Sequence, residues 1–123
     1  MNVEKLKLET RHNASIEFTM TIIDLQTNLP VDLSLADIWF TAKNSADDAD
    51  GAAVVQVTKA AGNIVVSGTN HNIFTVRADH VANALPNEAV TLVCDVKVQL
   101  PDDFAQVVGE GTLKVSKAVT QSG

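Results

Sequence analysis

Asp47, Asp48 and Asp50 crowd the segment SADDADG at residues 45–51, and clustered carboxylate oxygens are what a hard cation such as calcium prefers. The spacing is not that of an EF-hand: Ala46 stands two before Asp48, and Val57 falls where the closing Glu is required. A solvated acidic loop is the expectation. His12, His71 and His80 could ligate zinc or carry protons, yet they sit in or beside turns with no HxH or HExxH spacing between them. Cys94 is the single cysteine, so it forms no intrachain disulfide and belongs to no CxxC zinc pattern. Gly109-Glu110-Gly111 could suggest a phosphate loop, but the residues after it alternate as a strand and open no helix to receive an anion. Two glycines on one strand point instead to a bulge or a close backbone contact. No GxSxG elbow places a nucleophile, and the Asp-rich turns offer no fixed carboxylate pair for glycosidase work. The expectation is therefore a protein that is not an enzyme, with no catalytic residue, no cofactor and no metal.

The elements that would position any such residue are strands. Over residues 15–24, Ile16, Phe18, Met20 and Ile22 fall on one face while Ser15, Glu17, Thr19 and Thr21 fall on the other. Over residues 91–100, Leu92, Cys94, Val96, Val98 and Leu100 point one way and Thr91, Asp95, Lys97 and Gln99 the other. Side chains of a strand alternate between two faces, so each segment has a core side and a wet side. Further strands are predicted around Leu6 and Leu8, over 36–44, around Val55 and Val57, over 64–66, over 73–77 and over 104–119. Ala60-Ala61-Gly62-Asn63 is expected to turn a hairpin, and Asp79 is expected to cap a short helix at about 79–85. This punctuation predicts an all-β fold, an antiparallel β-sandwich, as a single domain over 1–123 with a loose end at about 119–123.

The chain has 123 residues, enough for one core and not for two. Its hydrophobic fraction is 46%, but Trp39 and four Phe are the only aromatics and Tyr is absent, so aliphatic packing must dominate. A formal net charge of −6 with scattered cations argues against nucleic acid, whose affinity comes from clustered Lys and Arg. No stretch is apolar for the length a membrane helix needs, and no signal-peptide pattern opens the chain, so synthesis without export is expected.

Trp39 falls on the polar side of its strand with Asp37, Thr41 and Lys43, where a large aromatic is costly to leave in water. It is the candidate interface anchor, the alternative being that a loop or the N-terminal segment folds over it. Pro30-Val31-Asp32-Leu33-Ser34 is followed by Ala36-Asp37-Ile38 with Phe40, then Gly62-Asn63-Ile64, Asp95-Val96-Lys97-Val98 and Gly111-Thr112-Leu113-Lys114-Val115. In this order, over about residues 15–120, these segments resemble the immunoglobulin-like N-terminal domain of bacteriophage baseplate upper proteins and related phage structural proteins. Val93-Cys94 stands where the family carries an aromatic before its Asp-Val pair, and residues 12–15 replace a Gly-Asp-Thr start.

The resemblance implies an immunoglobulin-like sandwich, located in the virion after synthesis in the host cytoplasm. It implies a non-enzymatic docking module of the tail, baseplate or neck, present in multiple copies, whose partners are other virion proteins rather than nucleic acid or membrane. A capsid decoration protein binding the major capsid protein is the alternative. A carbohydrate-binding module is more distant, because one Trp and no Tyr leave little to stack on a sugar.

Overall fold

The computed structural model describes residues 4–11, 15–24, 26–45, 53–78, 89–101 and 105–116. Eight strands follow one another along the chain: β1 (Glu4–Arg11), β2 (Ile16–Thr21), β3 (Asp37–Lys43), β4 (Val55–Thr58), β5 (Ile64–Ser67), β6 (Ile73–Ala78), β7 (Val90–Gln99) and β8 (Gln106–Ser116). They form a five-stranded sheet in the order β1-β8-β7-β3-β4 and a three-stranded sheet in the order β2-β6-β5. The alternation read from sequence is the burial pattern observed. Ile38, Phe40 and Ala42 on β3, and Leu92, Cys94, Val96 and Val98 on β7, are buried between the sheets. From the smaller sheet, Ile16, Met20, Ile64, Phe74 and Val76 meet them. Phe18 of β2 and Phe40 of β3 join the two layers edge to face, ring centroids 5.1 Å apart.

The structure corrects two expectations. The sheets are not antiparallel throughout: β1 pairs with β8 in parallel, Leu6 opposite Gly111 and Leu8 opposite Leu113. A period of two is the same in either orientation, and no short connection obliges these two strands, from opposite ends of the chain, to run antiparallel. Nor do residues 60–63 turn a hairpin. β4 hydrogen-bonds to β3 while β5 hydrogen-bonds to β6, so the chain changes sheets there. Lys59 N–H donates to Ile38 and Asn63 N–H to Thr58 in the first sheet, whereas the Asn63 carbonyl accepts from Arg77 in the second. Gly62, at φ 88°, supplies the left-handed residue that this corner requires. The expected helix at 79–85 lies outside the described residues, as does the expected loose end at 119–123.

The glycine pair of β8 has both expected roles. The register with β7 slips between Val96 and Lys97, where Gly109 and then Val107 are the partners, so Val108 is the bulged residue and turns inward. At Gly111 an added Cβ would run into the carbonyl oxygen of Leu6, with the Leu6 carbonyl carbon at 2.7 Å. Absence of a side chain there is what lets β1 close on the edge of the sheet.

Residues 22–24 and 26–36 form a structured connection between the sheets. Ile22 N–H donates to the Asn72 carbonyl at 2.8 Å, and Asn72 Nδ2 returns a bond to the Ile22 carbonyl at 3.2 Å. Ile23 bridges Pro30, and Asp24 Oδ1 accepts from Gln26 N–H at 2.8 Å. Leu33 is fully buried, its N–H bonded to the His71 carbonyl at 2.8 Å. Lys59 Nζ reaches across to the carbonyls of Ser34 (2.9 Å) and Ala36 (3.0 Å).

Candidate functional site

The outer face of the five-stranded sheet carries Trp39. Its place on β3 sets it between Thr58 of β4 and Lys97 of β7. It is half-buried on the solvent side of the sheet, as alternation predicts. The N-terminal strand does not cover it: β1 lies at the far edge, separated from β3 by β8 and β7. Beside the indole runs a groove of about 210 Å³, lined by Gln56, Lys97 and Ala105 among others. A second concavity of about 350 Å³ continues across the sheet to Lys5 and Glu110 and shares Thr41, Lys43 and Asp95 with the first.

The charges on this face are interleaved. Among residues whose side chains are described, Lys5, Lys7, Lys43, Lys97 and Lys114 point outward together with Glu9, Asp37, Asp95 and Glu110. Five lysines against four carboxylates leave the face one charge positive in a chain of net charge −6. Asp95 and Glu110 are directly opposite each other, which is unfavourable for like charges, and Lys5 Nζ lies 3.8 Å from the Glu110 carboxylate. The ends of Lys5 and Glu110 are solvated, so this contact adds little stability and mainly shapes the local potential.

Of the sequence's nucleophile and metal-ligand candidates, Cys94 and His71 are among the described residues. Cys94 faces the core, 6% exposed, and burial followed by the neighbouring Asp95 charge pushes its thiol pKa up to about 11. A thiol so placed is protonated at neutral pH and behaves as a small apolar side chain. Asp32 is held below the usual carboxylate range by the Ser34 hydroxyl at 2.7 Å and the Ser34 N–H at 2.9 Å, both donating to Asp32 Oδ1, with a smaller contribution from nearby His71. His71 itself is exposed in the turn before β6 at φ 54°. His12, His80 and the acidic cluster Asp47, Asp48 and Asp50 lie outside the described residues. Among the described residues no group of three or more His, Cys, Asp or Glu could hold a metal ion, and no helix is long and apolar enough to cross a membrane.

One surface went unpredicted. Ile23 (41% exposed), Leu29 (60%) and Leu35 (80%) project from the 22–36 loop, and with Val65 they are the exposed large hydrophobic residues among those described. The sequence signal was present as isolated aliphatics in a polar stretch, but Val31 and Leu33 in the same stretch turn inward. Spacing alone does not separate the two sets.

Fold and surface together define a two-sheet β-sandwich that displays a mixed-charge groove around one tryptophan. Comparison with protein-family models and with curated proteins finds no match.

Proposed function

We propose that this chain is a non-enzymatic protein-docking domain of a bacteriophage virion, acting in the tail, baseplate or neck through the outer face of its five-stranded sheet. The observation that carries the docking role is Trp39, half-buried at the side of a groove on the mainly polar outer face of the five-stranded sheet. A half-buried tryptophan with the Lys97 stem opposite it on β7 can be desolvated by a partner over much of its area, which is how interface anchors work. The strand partition supports an immunoglobulin-like sandwich. Lettering β2 to β8 as B, C, C′, D, E, F and G gives one sheet B-E-D and the other G-F-C-C′, with β1 added beside G. That order agrees with the sequence resemblance to phage baseplate domains, and the resemblance is what directs the docking role to the virion.

Two measurements test the proposal. Quantitative mass spectrometry of purified virions should find the protein in small multiples of three or six per particle, as a component of the tail axis. Hundreds of copies would make it a capsid decoration protein instead, and absence would remove the virion role. Trp39→Ala should leave the thermal midpoint nearly unchanged while weakening incorporation by about 2 kcal/mol, roughly thirtyfold in affinity. A variant that melts early and assembles normally would show that Trp39 serves the fold and not a partner.

A further inference from the structure

We propose that the occupant of the Trp39 face is the 22–36 loop of a second copy of this chain, so that copies associate head to tail. This rests on the docking role of the Trp39 face proposed above. Charge is sorted between strands and connections in a way that favours it. Among the described side chains the sheet face is one charge positive, whereas residues 22–36 contain Asp24 and Asp32 and no Lys, Arg or His. Of the basic residues next to the loop, Lys59 is turned onto the loop's own carbonyls at Ser34 and Ala36, and His71 adjoins Asp32. Asp32 stays ionised well into acid because Ser34 holds its carboxylate by two hydrogen bonds.

The apolar groups match as well. Leu35 and Leu29 are the two most exposed large aliphatics among the described residues, and they belong to the same loop as those two carboxylates. The groove next to Trp39 offers an aromatic wall, and its charged lining, Lys43, Lys97 and Asp95, is one charge positive. A leucine entering it would bury both hydrophobic surfaces and bring the loop carboxylates toward the lysines. The loop is already held by buried Leu33 and by the paired bonds between Ile22 and Asn72, so little ordering is required on contact. Loop-to-loop pairing would set carboxylate against carboxylate. Because loop and face are different patches, the contact is heterologous: each copy keeps one loop and one face to offer, which builds a ring or a filament.

Sedimentation velocity on the full chain, from micromolar to millimolar, tests this with two complementary variants. Trp39→Ala removes the face, and the double variant Leu29→Ser with Leu35→Ser removes the loop. The wild type should form species larger than a dimer as concentration rises, and each variant alone should remain monomeric. Mixed together, the variants should form a one-to-one dimer and nothing larger, since one intact loop meets one intact face. Lys97→Glu, at an exposed position outside the core, should reproduce the face defect and guards against misfolding of Trp39→Ala. A wild type that stays monomeric, or a mixture that yields no dimer, overturns the head-to-tail contact. Association lost in Trp39→Ala but kept in the loop variant also overturns it while leaving the docking role of the face standing. Failure of that role is read separately, as normal virion incorporation of Trp39→Ala.

Discussion

One methyl group at position 111 would part β1 from the sheet. Gly111 and Gly109 are two residues apart on β8, yet their surroundings differ in kind. A Cβ at 111 meets the Leu6 backbone, while one at 109 meets Met20 Cε at 3.1 Å and Leu6 Cδ1 at 3.2 Å, the movable ends of side chains. Gly111→Ala should therefore cost about 3 kcal/mol and Gly109→Ala no more than about 1 kcal/mol. Thermal denaturation gives the difference, and hydrogen exchange should show the amides of β1 losing protection first in Gly111→Ala. Cys94 carries a pH prediction. Its folded pKa of about 11 lies above the ordinary thiol value of 9.0, so the folded state holds a proton that the unfolded state releases between them. Its stabilising effect is complete below pH 9.0 and is lost as pH rises through about 11. Denaturant titrations should record a fall of roughly 2 kcal/mol across that window, largely absent in Cys94→Ala. Tyr is absent, so no tyrosine titration overlaps it.

The 22–36 loop owes its shape to partners on other elements, Asn72 above all. Asn72 is the buried polar residue among those described, and Asn72→Ala should remove its bond to the Ile22 carbonyl. Val31 N–H still reaches that carbonyl at 3.3 Å, so the loss should be about 1 kcal/mol, measured by denaturant unfolding. The individual strands were legible in the sequence because alternation is a local signal: Ile38, Phe40 and Ala42 fall on the buried side as read, and Trp39 falls on the other. What connects them was not legible. Ala60-Ala61-Gly62-Asn63 has the composition of a hairpin turn and serves a sheet-to-sheet crossing, since the same left-handed glycine suits both. The parallel pairing of β1 left no trace in local pattern, and the groove beside Trp39 draws its lining from β3, β4, β7 and the residue before β8. Such sites depend on strand order, which spans the whole chain.

At the scale of the molecule, the two sheets are coupled through Phe18 and Phe40. Phe40→Ala should destabilise by about 3–5 kcal/mol, because the ring is fully buried and its space cannot collapse between two sheets. A double-mutant cycle with Phe18→Ala should return a coupling of about 0.5–1.5 kcal/mol for the edge-to-face pair. The seam between β1 and β8 bears on how the domain carries load. Its strands run in the same direction, residue by residue from Glu4 opposite Gly109 to Arg11 opposite Ser116. A pull on the chain before β1, opposed by a pull on the chain after β8, acts along the seam and strains its hydrogen bonds together. An antiparallel seam pulled from one end would peel bond by bond. Tension transmitted through the two ends of this chain is thus met by a shear-resistant lock, with Gly111 at its closest point.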